Sequence, residues 1–165
     1  MEQFVMYFDQ LTCPKSFPWH FANIVATNEH IIEVMFSNTA SEINKNKITE
    51  LCKQQLILYF SKKLTTFCLP FISQGTRFSS TVYDELLKIP FGYTSTYKEI
   101  AIYLGSKNKS RAVGHACSLN KISIIVPCHR VISSDGGLKG YAGGLITKKW
   151  LLNHESLLKN NVNLF

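Results

Sequence analysis

Ile124-Ile125-Val126-Pro127-Cys128-His129-Arg130-Val131 is the stretch on which the fold of this chain turns. An apolar run carries the backbone inward, and Pro127 ends it and holds Val126 extended. A cysteine, a histidine and an arginine follow without a spacer, then a second apolar pair, Val131-Ile132. A thiol placed where a buried strand turns is held rigidly and partly shielded from water, which suits a nucleophile. The plain alternative is a cysteine packed as a small hydrophobe, with His129 and Arg130 turned to solvent. On this segment alone the two stand level.

The bulk of the chain narrows the choice. Its 165 residues make one large domain or two small ones, and 45% hydrophobic with 18% charged residues suits a globular protein with a full core. Lys and Arg number 18 against 11 Asp and Glu, a formal charge of +7, which favours polyanion partners, nucleic acid before anionic membrane. No apolar run approaches the roughly 18 residues of a membrane span. The opening residues, MEQFVMYFDQ, lack the basic leader and apolar core of a secretory signal. Five cysteines at 13, 52, 68, 117 and 128 form no C-x-x-C pair, which fits free thiols in a reducing compartment. The five histidines share no zinc-like spacing with them, so no metal is expected.

Taken in order, residues 1–8 alternate loosely and predict a first strand. Cys13 to Trp19, with two prolines, reads as loop. Phe21–Thr27 and Ile31–Phe36 flank Asn28-Glu29 as a hairpin. Ser37–Lys47 is a polar surface loop. Over 48–64 the period becomes helical, with Lys62-Lys63 in the last turn, where cations suit the helix dipole. Thr65–Ile72 is strand-like, broken by Pro70. A small α/β domain over 1–73 follows, with a seam at Ser73–Thr76 and a mainly helical domain over 74–165.

In that second domain Phe78, Val82, Tyr83, Leu86 and Leu87 form a helix face, stopped by Ile89-Pro90-Phe91-Gly92. Thr96 begins a short helix over 97–104 that Gly105 ends. A polar turn, 106–109, leads into a helix over 110–118 rich in small residues. Two short helices joined by a tight turn make a helix-turn-helix pattern, with Lys107, Lys109 and Arg111 placed to meet phosphate. A plain three-helix core with a solvated basic turn fits the spacing equally well. Past Cys128, glycines at 136, 137, 140, 143 and 144 make a loop able to wrap a flat ligand. Thr147 is the expected N-cap of a last helix over 148–159, with Trp150, Leu151, His154 and Leu158 inward.

These fragments, in this order over about Gly75 to Glu155, resemble the O6-alkylguanine-DNA alkyltransferases, the methylated-DNA–protein-cysteine methyltransferases. The resemblance rests on Gly75-Thr76-x-Phe78, Ile89-Pro90-x-Gly92-x-Thr94, Tyr97 with Ile100-Ala101, Arg111-Ala112-Val113-Gly114, Asn120, Pro127-Cys128-His129-Arg130-Val131, Tyr141-x-Gly143-Gly144 and Trp150-Leu151-x-x-His154-Glu155. It implies an α/β N-terminal domain, a helical C-terminal domain with a winged helix-turn-helix, and stoichiometric, irreversible transfer of an alkyl group from O6 of guanine in duplex DNA to Cys128.

By the same resemblance His129 draws off the thiol proton through a water, Glu155 orients His129, and Asn120 holds the two parts of the site together. Tyr97 presses on the phosphate 3′ to the lesion. Arg111 fills the gap left by the flipped base, on a helix whose Ala112 and Gly114 lie against the minor groove. Pro127, Val131, Tyr141, Ala142 and Gly143 line the guanine pocket. No cofactor is implied. The implied partner is double-stranded DNA carrying O6-alkylguanine, met by a monomer in the cytoplasm, or in the nucleus of a eukaryote.

The chain departs from the family pattern in places. Lys121 follows Asn120 where proline is usual, an expected loosening of that turn. Lys109, Ser110 and His115 stand where small residues are common, and Ala142 where serine is frequent. Three other readings stand beside the resemblance. A non-catalytic relative that binds alkylated DNA would carry tryptophan in place of Cys128. A winged-helix regulator leaves the Cys-His pair and the glycine loop unexplained, and no hydrolase signature surrounds Cys128 to support a cysteine hydrolase.

Overall fold

The computed structural model describes residues 5–156. They divide into two compact units. One holds the described chain through Gln74 together with Lys121–Ser123; the other holds Gly75–Asn120 and the described chain from Ile124 on.

The first unit is a three-stranded antiparallel sheet, β1 (Tyr7–Thr12), β2 (Phe21–Ala26) and β3 (Ile31–Ser37), with one helix, α1 (Lys47–Phe60). On β2 every second residue, Ala22, Ile24 and Ala26, is buried, as a half-covered strand requires. Helix α1 sends Thr49, Cys52, Leu56 and Tyr59 inward at helical spacing, and it packs on β1 and β2. Asn46 caps it in a reciprocal box with Thr49. Lys121–Ser123 belongs to this unit through the backbone: Val34 N–H donates to Lys121 O at 2.8 Å and Ser123 N–H donates to Val34 O at 3.0 Å. The seam expected over 73–76 falls at Gln74/Gly75, but these three later residues lie on its other side. Lys121 itself, expected to loosen its turn, has its carbonyl held in that bond.

Three expectations need correction here. The first strand begins at Tyr7 rather than spanning 1–8, and residues 1–4 lie outside the described chain. Its inward alternation is hidden in the sequence because Asp9 takes an inward position, paired with Lys53 at 2.9 Å. Helix α1 stops at Phe60, so Lys62 and Lys63 are not in its last turn. Lys62 takes the left-handed φ of +59°, and Lys63 N–H bonds back to Leu58 O at 2.8 Å, a Schellman stop without its usual glycine. Thr65–Ile72 is an irregular strap with one parallel bridge, Ile31 to Phe71, since Pro70 has no N–H to extend a ladder.

The second unit contains α2 (Arg77–Leu87), β4 (Ser95–Thr96), α3 (Tyr97–Tyr103), a 3₁₀ turn (Lys107–Lys109), α4 (Ser110–Ser118), a second 3₁₀ turn (Cys128–Arg130), β5 (Val131–Ile132) and α5 (Leu145–Ser156). Strands β4 and β5 pair in parallel. Thr76 caps α2, whose buried residues are Ser79, Val82, Tyr83 and Leu86. Phe78 and Leu87 flank that stripe and are not buried, contrary to expectation. Tyr83 Oη donates to Ala116 O at 3.0 Å and ties α2 to α4. Thr96 and Glu99 form a capping box at the start of α3, and Gly105, at φ +91°, follows its end. Helix α5 begins at Leu145, three residues before the expected start. Thr147 is therefore not its cap; its hydroxyl donates to Gly143 O at 2.6 Å. Its expected end at 159, and Leu158, lie outside the described residues. Among the described residues no helix is long and apolar enough to cross a membrane.

Candidate active site

No strand leads into Cys128. Residues 123–125 form a turn, and Ile124, β-branched and buried, is held at φ +70°, a conformation that costs about 1–3 kcal/mol. Pro127, at φ −84° and ψ 57°, centres an inverse γ-turn in which Cys128 N–H donates to Val126 O at 2.9 Å. The rigidity expected of a strand end is supplied by two consecutive tight turns.

Cys128 is 3% exposed. Its Sγ accepts a hydrogen bond from Asn120 Nδ2 at 3.1 Å, and the same amide nitrogen donates to Val126 O at 3.0 Å. Asn120 reaches this position because α4 ends just before it, with Asn120 N–H bonded to Cys117 O at 3.3 Å. One side chain thus closes the Pro127 turn and touches the sulfur.

His129 is fully buried, and its Nε2 lies 2.7 Å from Glu155 Oε1. A carboxylate only accepts, so Nε2 carries the proton and the Nδ1 lone pair is left open. Among the described residues Nδ1 has no hydrogen-bond partner. The His129 and Tyr141 rings meet nearly at right angles, with centroids 6.4 Å apart. Helix α5 brings Glu155 here from far along the sequence. Arg130 grips the same carboxylate with Nε at 2.8 Å and Nη2 at 3.0 Å, while its Nη1 donates to Ile89 O at 2.7 Å. Gly92 N–H adds a fourth bond to Glu155 at 3.1 Å. The alternative of a solvent-facing His129 and Arg130 fails, since both are buried.

Burial pushes the Cys128 thiol above its usual range, opposed by the Asn120 bond and by the nearby Lys148 charge. Burial also pushes His129 below its ordinary value, with Glu155 working against the shift and Arg130 and Lys148 adding to it. Burial alone would raise the Glu155 carboxyl; His129 and Arg130 outweigh it and hold it well below the usual carboxylate range. At neutral pH this is a protonated thiol, a neutral imidazole and an ionised carboxylate, the starting state for a base-assisted nucleophile.

Lys148 was not singled out by motif. It is fully buried on α5, and its Nζ donates to Val131 O at 2.6 Å, Lys139 O at 2.9 Å and Tyr97 Oη at 3.2 Å. Tyr97 Oη in turn donates to Lys139 O at 2.7 Å. The lysine thereby fastens the glycine-rich loop to β5 and α3. Its signal was helical spacing: Lys148, Leu151 and Glu155 fall on one inward face of α5. Arg130 carried no comparable signal.

An open cleft of about 480 Å³ adjoins these groups, with Tyr97, Arg111, Gly114, Ser133 and Lys139 in its wall. The structure therefore brings the expected site residues together in two sets. Asn120 with Cys128 and His129 with Glu155 form two hydrogen-bonded pairs carried by adjacent residues, with Pro127 and Tyr141 against them. Tyr97, Arg111 and Gly114 share the cleft wall, and Gly114 lies against the Tyr97 ring. Val131 is buried under Lys148. Ala112 and Ala142 are exposed, and neither lines that cleft; Gly143 is held by Thr147.

Comparison with known proteins gives a consistent result. Residues 77–157 match the family model for the DNA binding domain of 6-O-methylguanine DNA methyltransferase. A methylated-DNA–protein-cysteine methyltransferase of Methanosarcina barkeri is 48% identical over 116 residues, covering 70% of this chain and 73% of that one. The crystal structure of the Mycobacterium tuberculosis O6-methylguanine methyltransferase superposes with a TM-score of 0.81 at 31% identity, covering 93% of this chain and 94% of that one. The same mycobacterial protein in complex with DNA gives a TM-score of 0.81 at 33% identity, over 91% and 92% of the two chains.

Proposed function

The chain belongs to the 6-O-methylguanine DNA methyltransferase family, a family of DNA-repair methyltransferases, and from that premise we propose that it moves one alkyl group from O6 of guanine in duplex DNA to its own Cys128 and then stops. The single observation that carries this is the sulfur itself: a buried thiol held by Asn120, next to a neutral histidine whose far nitrogen is engaged by Glu155.

In the proposed step His129 Nδ1 receives the thiol proton through a water. The thiolate attacks the alkyl carbon, the S–C bond forms and the C–O6 bond breaks. The electron pair of the C–O6 bond passes to the base, which takes up the proton that His129 holds and remains in its strand as ordinary guanine. The product is a thioether, a poor leaving group, and no residue near Cys128 offers a route back to the thiol. Each molecule therefore acts once and needs no cofactor.

Helices α3 and α4 serve as a helix-turn-helix that meets the minor groove, with β4 and β5 beside it as the wing. Exposed Arg111, Lys107 and Lys109 at the start of α4 supply charge for phosphate. Tyr97 acts on the phosphate beside the lesion, Arg111 takes the place of the extruded base, and Ala112 and Gly114 allow close approach of the helix. Pro127, Val131, Tyr141, Ala142 and Gly143 form the walls for the flipped guanine. The protein works as a monomer on DNA.

The test is intact-protein mass after mixing with a duplex that carries one O6-methylguanine. The expected result is a gain of one methyl in place of one hydrogen, on Cys128, absent in Cys128→Ala. Lesion-selective binding without any mass gain would replace a transferase with a damage sensor.

A further inference from the structure

Arg130 is more than a brace. Glu155 has two oxygens and about four acceptor positions, and all are engaged: Oε1 by His129 Nε2 and Arg130 Nη2, Oε2 by Arg130 Nε and the Gly92 N–H. Two of the four belong to one planar, permanently charged guanidinium, in the paired geometry that arginine alone provides. We propose that Arg130 is a positioning residue for the transfer: by matching the Glu155 charge it keeps His129 neutral, so that the Nδ1 lone pair is free to receive the Cys128 proton. This rests on the alkyl-transfer reading of the site.

The physical argument is a charge count in a buried site. Carboxylate and guanidinium already cancel. A proton added to His129 would leave one net positive charge buried, with Lys148 adding to the repulsion. Remove the guanidinium and the count reverses: an imidazolium would then neutralise Glu155, and the histidine would hold its proton. A histidine that is already protonated cannot take one from a thiol. Among the described residues the charged and titratable groups at the ring are Glu155 from α5, Arg130 beside it on the 3₁₀ turn, Lys148 from α5 and the adjacent Cys128. Tyr141 packs against the ring nearly at right angles. The remaining guanidinium nitrogen, on Ile89 O, and the Phe91 ring 5.8 Å away fix the fork against the Ile89–Gly92 turn, so its geometry does not depend on the histidine.

The test is the single-turnover rate of methyl transfer from an O6-methylguanine duplex against pH, for the full chain and for Arg130→Gln and Arg130→Lys. In the wild type the rate rises through an acid limb as His129 loses its proton. In Arg130→Gln that limb moves upward by about 1–3 pH units, the size of shift a neighbouring charge produces, while the rate at high pH is regained. Arg130→Lys keeps the charge but loses the fork; its limb stays near the wild-type position while the plateau falls. The ¹⁵N shifts of the His129 ring, read without substrate, move to the protonated pattern at neutral pH in Arg130→Gln alone. A rate lowered equally at every pH, with unchanged ring shifts, would leave Arg130 as a brace and overturn the inference. If the wild type transfers no methyl at all, it is the alkyl-transfer reading that falls; the ring shifts still decide the role of Arg130.

Discussion

Asn120 does two jobs with one amide nitrogen, and the two can be separated. Its bond to Val126 O is structural, and its loss leaves that buried carbonyl with the γ-turn bond from Cys128 N–H alone, at a cost of about 0.5–1.5 kcal/mol. Its bond to Cys128 Sγ favours the charged sulfur and opposes the upward push of burial. Asn120→Ala should therefore melt lower and also transfer methyl more slowly, with the rate deficit shrinking as pH is raised and thiolate is restored. A melt equal to wild type would remove the structural half of this account. The sequence disclosed Cys128 and His129 through a contiguous motif and Asn120 as a separate fragment of the same resemblance. It could not disclose that Glu155 meets His129, because only the packing of α5 brings them together. It gave no inward role to Arg130 or Lys148, since charged side chains are ordinarily placed in water and only paired ones go inside. Both are paired here, with a carboxylate in one case and carbonyl oxygens in the other.

Among the elements, α4 carries the clearest mark of use over stability. Gly114 lies in mid-helix, at a backbone conformation any residue adopts, where glycine costs about 1 kcal/mol relative to alanine. A Cβ there would meet the Tyr97 ring at 3.8 Å, an ordinary contact. Gly114→Ala is accordingly expected to stabilise the protein by about 0.5–1 kcal/mol, seen as a rise in Tm of a few degrees. Gly114 also lines the cleft, so the same change should weaken binding to duplex DNA in a titration. A variant gaining stability and losing nothing on DNA would argue that this face of α4 does not approach a groove. Helices were legible where cap and period agreed, as in α2 and α3 with Thr76 and Thr96. They were misread where a local backbone feature overrode the period: the left-handed Lys62 that stops α1, and the Gly144 turn that starts α5 early. The segment before Cys128 looked like a strand because it is apolar, yet its hydrophobic side chains are buried from a turn.

For the whole molecule the acid side is the vulnerable one. The ordinary pKa of histidine is 6.5, and His129 lies below it in the folded protein, so the unfolded chain binds that proton first and stability falls as pH drops beneath about 6.5. Glu155 lies below its ordinary 4.5, so its contribution is complete above that value and is lost as pH falls further, toward its folded pKa. The two effects have the same sign and follow one another. Thermal melts should therefore show Tm declining from about pH 7 to about pH 3, and Glu155→Gln should flatten the part of that decline below about pH 4.5. A Tm that holds constant across this range would mean the buried triad is not coupled to folding.

Lys121–Ser123 gives the protein an order of assembly on the ribosome. The chain leaves the second unit after Asn120, lends three residues to the edge of β3, and returns at Ile124 just ahead of Pro127-Cys128-His129. Synthesis runs from the N-terminus, so the sheet waits unfinished, with the backbone of Val34 unpaired, while the whole of α2, α3 and α4 emerges. The two units are interleaved along the chain. The nucleophile is made a few residues after the stitch.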